Sequence, residues 1–443
     1  MTSVLRRILP AAGVMLACAS LGTTASAADA RAEYESRVTV VRSIPGFVAL
    51  WDFVQREDGP AGTGRFIAHT APDVAGPFAL DAVNIIRAFW RTGREASYAD
   101  FPLSGRGPFG NAVRFQEETE PDFLPTLLVP RAAIHDSRLD VKGPGGSVSM
   151  AVWVLHERGD HVLAGIWHEG TDLQEGSGGP AVVERGRRQY ALFAGLAGNP
   201  GAAAVHVSEN GGASFSDKYA RNLAVTPDKI PHAATTGNLA DHDAKWAVAG
   251  FVFDNDRDTA TAYLNGRAAE HWIDNPAEHP FFRWPAKGWR QAQLARLPGV
   301  QPGEDPDYPP DQYYEPPESQ PLSESVVSES DSERIVLLTF EFTKVRVTSR
   351  RGEDGRFAVV ERELAALKVN PYWFGHDLYA PNAPAEGGPF TIGRVIKTSR
   401  GQGNTAFYGG VAVFDRALSA EEMAALAGIG RPLLSLREIL ASR

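Results

Sequence analysis

The sequence predicts an all-β fold, an antiparallel β-sandwich with a short carboxyl-terminal helix. Three observations support this prediction. Short apolar runs with strand-like alternation recur along most of the 443 residues, 44 Gly and 31 Pro supply turns between them, and the only clear helix signature lies near the carboxyl terminus. Hydrophobic residues make up 43% of the chain and charged residues 22%, so the chain can bury a core. A coiled coil and wholesale disorder are therefore excluded.

The amino terminus has the pattern of a targeting segment. Two arginines precede an apolar run over residues 8–21, and small residues up to Ala27 form a cleavage site. We expect residues 1–27 to be a signal peptide and the mature chain, which begins at Ala28, to be secreted or periplasmic. The single cysteine, Cys18, ends a loose match to a bacterial lipobox, so a lipid anchor at the cell envelope is the alternative. No later apolar run reaches roughly 18 residues, and no transmembrane segment is predicted.

An acidic segment interrupts the chain at residues 302–333. It contains ten Asp or Glu, seven Pro and six Ser, with no Lys or Arg. Because such a segment repels itself and offers little to bury, we expect a disordered insertion that faces solvent, or alternatively a cation-binding or partner-binding tail. Its ten charges equal the formal net charge of −10, so the remainder is balanced and nucleic-acid binding is not indicated.

Two pairs of apolar runs predict hairpins. Residues 148–155 and 161–167 flank a polar turn. Residues 335–348 and 357–369 flank a second turn that contains two glycines, and alternate apolar residues of the first run fall on one face. Each pair is therefore expected to form two neighbouring antiparallel strands.

A tight turn is predicted at Asn265-Gly266. Residues 246–253 and 259–264 read as strands, and Asn-Gly is typical of a two-residue hairpin turn because both positions adopt positive φ. The chain is expected to return antiparallel from Arg267.

The helix signature is a capping box. Ser419 can accept a hydrogen bond from the first-turn amides while Glu422 reaches back to the Ser419 amide, and Gly428 provides a stop. A helix of about two turns is predicted between them.

Several short pieces together carry a family resemblance. They are residues 49–53, 109–115, 148–154, 190–193, 246–250 with 262–266, 390–393 and 407–419. In this order they resemble the laminin-G-like and concanavalin A-like lectin-glucanase jelly rolls of secreted bacterial proteins. The resemblance implies a jelly roll over residues 45–430, longer than the familiar module because of a loop at 168–189 and an insertion at 288–334.

The resemblance implies a non-catalytic carbohydrate-binding or adhesion module, with a glycan or an extracellular protein as its partner. Two other functions fit the same fold: a glycan-degrading hydrolase and a structural protein-docking surface domain. Sugars present apolar C–H faces that stack on aromatic rings, so side chains in or beside predicted loops are the candidate ligand-binding residues. These residues are Trp272, Trp284, Trp289, Tyr372, Trp373 and His376.

A metal site is predicted at Asp254, Asp256 and Asp258. Alternating carboxylates beside a hairpin suit calcium, and related jelly rolls hold calcium near a sheet rim. The loop is not an EF-hand, because its sixth position is Thr259 instead of Gly and its twelfth is Asn265 instead of Glu. The predicted cofactor is therefore one calcium ion.

No catalytic residue is predicted. Residues 329–333 mimic the alternating carboxylates of β-glucanases, but their spacers are Ser instead of apolar residues that would anchor a strand. A Ser177-Gly178-Gly179 loop follows His69 and Asp100 in the order of a serine-protease triad, yet the residues before Ser177 do not match the protease pattern and a plain loop is expected.

Overall fold

The computed structural model of the protein describes residues 27–60, 62–116, 118, 120–169, 186–196, 200–211, 222–234, 238–295, 313–396, 403–434 and 436. The predicted signal peptide up to residue 26, Cys18 and the Ser177 loop lie outside these residues, as does the start of the acidic segment, residues 302–312. Among the described helices, none combines the length and hydropathy of a membrane-spanning segment.

The described residues form five α-helices and 23 strands. The helices are Ala27–Ser43 (α1), Ile85–Trp90 (α2), Arg131–Ile134 (α3), Arg283–Ala295 (α4) and Ala420–Ala427 (α5). The strands are Phe47–Trp51 (β1), Phe66–Ile67 (β2), His69–Thr70 (β3), Ala79–Asn84 (β4), Arg106–Gly107 (β5), Val113–Phe115 (β6), Pro125–Val129 (β7), Val148–Arg158 (β8), Val162–His168 (β9), Arg187–Ala194 (β10), Ala202–Val207 (β11), Leu223–Lys229 (β12), Ala247–Asp254 (β13), Thr259–Leu264 (β14), His271–Asp274 (β15), Ser323–Glu329 (β16), Glu333–Thr339 (β17), Thr343–Arg351 (β18), Phe357–Asn370 (β19), Tyr372–Trp373 (β20), Phe390–Ile392 (β21), Thr405–Phe414 (β22) and Leu433–Leu434 (β23).

Two eight-stranded sheets pack face to face and confirm the predicted antiparallel β-sandwich. The first has the order β20-β14-β13-β8-β22-β1-β3 with β6 paired to β22, and the second has the order β12-β11-β10-β9-β21-β7-β4-β2. Aromatic rings from both sheets meet between them: Trp51 stacks on Phe390 with ring centroids 5.0 Å apart, and Tyr190 lies 6.1 Å from Phe251. As expected for a sandwich, alternate residues of each strand fill the layer between the sheets.

The strands predicted at 148–155 and 161–167 exist, but their pairing as a hairpin is wrong. β8 pairs with β13 and β22 in the first sheet, whereas β9 pairs with β10 and β21 in the second. The turn around Gly159, which has a φ of +87°, carries the chain from one sheet to the other. A local apolar run predicts that a strand forms but not which strands it pairs with. Both faces of β8 are buried, so its sequence is compatible with a position in either sheet.

The Asn265-Gly266 turn forms, but the predicted antiparallel return does not extend. The Leu264 amide donates to the Arg267 carbonyl over 3.0 Å, and the chain then leaves for β15 in a third sheet. A Cβ added to Gly266 would lie 2.8 Å from the Ala424 Cα atom of α5. Glycine is therefore required there both for its positive φ and for the close packing of the terminal helix.

Helix α5 confirms the predicted capping box. The Glu422 amide donates to the Ser419 hydroxyl over 3.3 Å, and the Ser419 amide donates to a Glu422 carboxylate oxygen over 2.8 Å. Its buried side chains, Met423 and Leu426, pack on the outer face of the first sheet.

Four helices lie where the sequence predicts no helix, and the two longest are α1 and α4. Helix α1 packs Tyr34, Val38 and Val41 against Leu50 and Trp153 on the outer face of the first sheet. The spacing of these three apolar residues, four and then three, is a helical signal within a segment that otherwise looks like the start of a mature chain. Helix α4 lies in the region interpreted as a loop insertion.

A third sheet has the order β15-β19-β18-β17-β16 and corrects two predictions. Strand β16, within the acidic segment, pairs along its length with β17, so the prediction of disorder is wrong for Ser323–Glu329. The run at 335–348 is two strands, β17 and β18, because the chain turns at Phe340, whose amide donates to the Thr343 carbonyl. Backbone pairing with β17 orders β16 even though its side chains bury little.

The edge of this third sheet is exposed. Every residue of β16 is exposed. The large exposed apolar side chains of the described residues outside α1 lie in strands of the third sheet or directly before one: Leu322, Val326, Val327, Val359 and Val360. A register shift between Val326 and Ser328 and the charges of Glu324 and Glu329 interrupt the edge. Such bulges and charges hinder edge-to-edge pairing of sheets.

Candidate functional site

Two chain segments meet at one end of the first sheet, and we refer to residues 254–258 and 372–377 together as the rim. The turn between β13 and β14 supplies the first segment. The second begins with β20, which pairs with β14 through Thr259 opposite Trp373 and Ala260 opposite Tyr372. This pairing brings the predicted metal-binding aspartates beside three of the predicted ligand-binding residues, although more than a hundred residues separate them in sequence.

Hydrogen bonds hold the rim in place. The Asn255 side chain accepts from the Gly145 amide over 2.6 Å and donates to Asp377 over 3.1 Å. The Phe374 amide donates to the Asp258 carbonyl over 2.7 Å. Three separate chain segments are thereby tied together, so the rim is preformed.

Trp373 is the aromatic side chain of the rim that is best placed for a ligand. Its ring is partly exposed, and Tyr314 packs edge-on against it with centroids 5.4 Å apart. A Cβ added to Gly375 would lie 2.2 Å from the indole, so the ring lies directly across this glycine. The indole is therefore held in one orientation with part of its surface open.

Negative charge concentrates beside this indole. Burial raises the pKa of Asp258, the charge of His376 lowers it, and the carboxylates of Asp377 and Asp254 raise it further. Asp254 accepts from the amides of its own turn, and its Oδ1 atom lies 3.1 Å from the Asp256 nitrogen. Within the described part of the chain, Asp256 and Asp258 have no side-chain hydrogen-bond partner. Their oxygens are available to hydroxyl donors or to a cation.

The rim aspartates do not form a compact set of metal ligands. Among the described residues, one group brings three ligand atoms within 4.8 Å of one another, and it consists of His135, Asp136 and Asp140. That group already holds cations: Lys142 lies 2.6 Å from Asp136 and 2.7 Å from Asp140, and Arg131 binds both Asp140 oxygens at 2.7 Å. It is an ion-pair network and not a metal centre.

Calcium at Asp254, Asp256 and Asp258 stays a prediction. Carboxylate oxygens are suitable ligands for this ion. The turn would have to bring its side chains closer together, because the ligand atoms of these three described residues do not all lie within 4.8 Å of one another.

Two of the predicted ligand-binding aromatic residues are in the core. Trp289 is 2% exposed on α4 and donates to Glu318 over 3.2 Å, and Tyr372 is 1% exposed. Their assignment as stacking residues is wrong, because neither ring offers a face to a ligand. The period of a helix, unrecognised over residues 283–295, turns Trp289 inward.

Two other tryptophans are partly exposed but associate with cations. Lys344 and Lys368 lie 4.8 and 5.1 Å from the Trp272 ring. Trp284, on α4 and not in a loop, has the Arg283 guanidinium 5.1 Å from its ring. Cations near these rings compete with a ligand for the aromatic faces.

The described residues do not form either of the two catalytic arrangements considered for this sequence, the carboxylate strand and the serine-protease triad. Glu329 ends β16 and Glu333 begins β17 across a tight turn, so these carboxylates do not line one face of a single strand. His69 bonds Asp52 at 2.8 Å, while Asp100 pairs with Arg94 at 2.7 Å. No triad geometry links His69 with Asp100.

We expect Asp258→Asn to raise the free energy of unfolding at neutral pH by about 0.5 kcal/mol. Asp258 has a φ of +54°, a conformation that Asn tolerates well, and the amide removes repulsion from Asp254 and Asp377. Because the pKa of Asp258 is raised in the folded state, its ionisation costs stability as pH rises. This gain in stability should disappear below the ordinary pKa of aspartate, because Asp258 is then protonated in both the folded and the unfolded protein.

Urea unfolding at neutral and acidic pH measures this effect. Asp354→Asn is the matched control, because Asp354 lies in an exposed turn and accepts a hydrogen bond that Asn preserves. A loss of stability at neutral pH, or a gain that does not depend on pH, would contradict the expectation.

No family model and no curated protein matches this chain. Solved structures that are similar in part include the following three. Domain 4 of the extracellular arabinanase AbnA from Geobacillus stearothermophilus, in complex with arabinotriose, is 10% identical over 86% of this chain and 98% of that one, with a TM-score of 0.34. A variant of the NanB sialidase from Streptococcus pneumoniae is 10% identical over 70% and 27%, with a TM-score of 0.29. The binding domain of botulinum neurotoxin serotype C1 is 6% identical over 86% and 51%, with a TM-score of 0.29.

This chain matches about half of the neurotoxin domain and about a quarter of the sialidase. At these TM-scores the likeness carries no argument about function, and the strand pairing described above establishes the fold. Fold and site together define an antiparallel β-sandwich with an acidic and aromatic rim at one end.

Proposed function

We propose that the protein is a secreted, non-catalytic glycan-binding module of the laminin-G-like or concanavalin A-like type, and that the rim is its binding surface. One observation carries this proposal. The pairing of β14 with β20 places a partly exposed, immobilised indole beside Asp256 and Asp258, whose carboxylates form no side-chain hydrogen bond among the described residues.

The chemistry of the rim suits a sugar. The apolar C–H face of a pyranose or furanose ring stacks on an indole such as that of Trp373. Neighbouring hydroxyls donate to carboxylates, and Asp256 and Asp258 supply acceptors at the same end of the sheet. An immobilised ring and a tethered turn lower the ordering cost of binding.

Trp373→Ala should weaken glycan binding by about 30-fold, because truncation of a central tryptophan in a binding site costs about 2 kcal/mol. The measurement is binding of the mature chain, from Ala28, to a broad glycan array, followed by titration of the best glycan. Trp272→Ala is the matched control: it removes another partly exposed tryptophan that lies in a different sheet. Unchanged binding by the Trp373 variant, or an equal loss in the control, would contradict the placement of the site.

We further propose that Asp254, Asp256 and Asp258 bind a calcium ion. The array is therefore repeated with a chelator. Chelator-sensitive binding supports a bound ion, and chelator-insensitive binding removes the metal but keeps the sugar.

A glycan-degrading hydrolase of the same fold is the alternative. Such an enzyme needs two carboxyl groups about 5 Å or about 6.5–9.5 Å apart across an open cleft. Release of shortened glycan from the array would favour the hydrolase. An array without any bound glycan would overturn the glycan proposal and favour a structural protein-docking role.

A further inference from the structure

A pocket of about 360 Å³ lies at the end of the sandwich opposite the rim. Val148, at the start of β8, pairs with Phe253 beside the rim, whereas Arg158, at the end of β8, lines the pocket. Eleven residues of β8 at about 3.3 Å each separate the two sites by more than about 30 Å. A ligand in the pocket cannot contact the rim.

The walls of the pocket are preformed. The Ile230 amide donates to the Gly201 carbonyl over 2.8 Å, and the Ala233 amide donates to the His156 carbonyl over 2.7 Å. The His156 Nε2–H group donates to the Gly159 carbonyl over 2.8 Å. These bonds tie the segment after β12 to the turns that follow β8 and β10.

The charged groups of the pocket favour an anion. Arg158 and Lys229 line it and are exposed, and Asp160 is the one carboxylate of the lining. His156 and His232 add imidazoles, and burial lowers the pKa of His156 so that it stays neutral at pH 7. Two positive charges against one carboxylate make the pocket locally cationic, and a pocket of this kind concentrates anions.

The apolar part of the lining limits the kind of anion. Pro200 and Ile230 contribute carbon surface, and the aliphatic stems of Arg158 and Lys229 can add more. The volume lies within the range of small-ligand sites. A bare inorganic ion would leave this apolar surface without contacts.

We propose that this pocket binds a carboxylate-bearing sugar, a uronic acid unit. The positive charges of Arg158 and Lys229 attract the carboxylate, and the C–H face of the ring packs on Ile230 and Pro200. Asp160 accepts from ring hydroxyls. This inference deepens the proposed function by adding an acidic-sugar site, and it rests on that function only for the choice of a sugar as the ligand.

Titration calorimetry with glucuronate and with glucose tests the proposal. The two sugars share a ring and differ in the carboxylate, so we expect saturable binding of glucuronate and at least tenfold weaker binding of glucose. Arg158→Gln and Lys229→Gln should each weaken glucuronate binding about tenfold, since each removes one charged contact. Arg350→Gln is the matched control, because it removes an exposed positive charge from the third sheet.

Equal binding of glucose, no saturable binding of glucuronate, or an equal effect of Arg350→Gln would overturn the proposal. Thermal melting of each variant verifies that the fold is intact. Trp373→Ala separates the two sites: it should leave glucuronate binding unchanged, whereas Arg158→Gln should leave binding at the rim unchanged. An array without bound glycan together with glucuronate binding would therefore overturn the rim and not the pocket.

Discussion

Replacement of Asp52 by alanine should lower the free energy of unfolding by about 3–5 kcal/mol, the range measured when one partner of a buried charge pair is removed. The Asp52 carboxylate is fully buried. It accepts from Tyr34 Oη over 2.7 Å and from the amides of Val54 and Gln55 over 2.8 and 3.1 Å, and it lies 2.8 Å from His69 Nε2. Alanine would leave these groups without their shared acceptor, and two of them, on Tyr34 and Val54, belong to buried residues.

The same carboxylate attaches helix α1 to strand β1, since Tyr34 comes from the helix and Asp52 follows the strand. Tyr34→Phe removes only one donor and should cost about 1 kcal/mol. Urea unfolding of both variants gives the comparison. A loss for Asp52→Ala no larger than that for Tyr34→Phe would show that the cluster does not act as a buried charged network.

The Asp52 cluster also predicts how stability depends on pH. Burial opposes ionisation of Asp52, but the His69 charge and the hydrogen bonds from His69, Val54 and Gln55 outweigh it and lower the pKa of Asp52 below its usual value. Its contribution is therefore present above the unfolded pKa of aspartate and is lost as pH falls through the lower folded pKa. Burial, followed by the charge of Asp52, raises the pKa of Tyr34, so the contribution of Tyr34 is present below its unfolded pKa and is lost only at more alkaline pH.

The free energy of unfolding, measured from acidic to alkaline pH, should therefore reach a lower plateau in Asp52→Ala than in the unaltered protein. The acid limb should become shallower in this variant, because the group that must be protonated is gone. An unchanged acid limb would assign acid sensitivity to other carboxylates.

Trp51→Ala should lower the free energy of unfolding by about 3–5 kcal/mol as well, for a different reason. The Trp51 side chain is fully buried between the two sheets, stacks on Phe390 at 5.0 Å and donates from Nε1 to the Phe78 carbonyl over 2.9 Å. Alanine leaves a cavity at the centre of the sandwich and removes one of the two hydrogen bonds that the Phe78 carbonyl accepts, the other coming from the Ala68 amide.

Trp51→Phe is the matched control. It keeps an aromatic ring against Phe390 but loses the hydrogen bond and part of the volume, so its cost should be clearly smaller, about 1–3 kcal/mol. Urea unfolding measures both variants. Equal costs for alanine and phenylalanine would show that the hydrogen bond to Phe78, and not the packed volume, dominates at this site.

Local sequence predicted much of the secondary structure because it depends on short-range rules. Short apolar runs identified β8, β9, β13 and β14. Positive φ at Asn265 and Gly266 produced the turn after β14, and reciprocal hydrogen bonds between Ser419 and Glu422 began α5. Helix α1 had a weak helical signal in the spacing of Tyr34, Val38 and Val41. Strand β16 carried almost none, because its order comes from backbone pairing with β17 and not from buried side chains.

The candidate site was predicted only in pieces. The sequence indicated acidic and aromatic residues at separate places, and Trp373 belongs with the aspartates because β20 pairs with β14. Composition alone could not separate Trp373, which is partly exposed, from Tyr372, whose ring enters the core one residue earlier. Successive residues of a strand point to opposite faces, so only the position of the sheet decides which one meets solvent.

By itself, then, the sequence determined the fold class, several of its strands, one tight turn and the terminal helix, since each depends on backbone preferences and on one buried face within a few residues. The tertiary structure alone decided that β8 and β9 belong to different sheets, that Asp52 meets Tyr34 and His69, that the rim joins segments far apart in the chain, and that Arg158 and Lys229 share a pocket. These contacts arise when distant segments bury their surfaces against one another, and that burial depends on the whole chain and not on any local pattern.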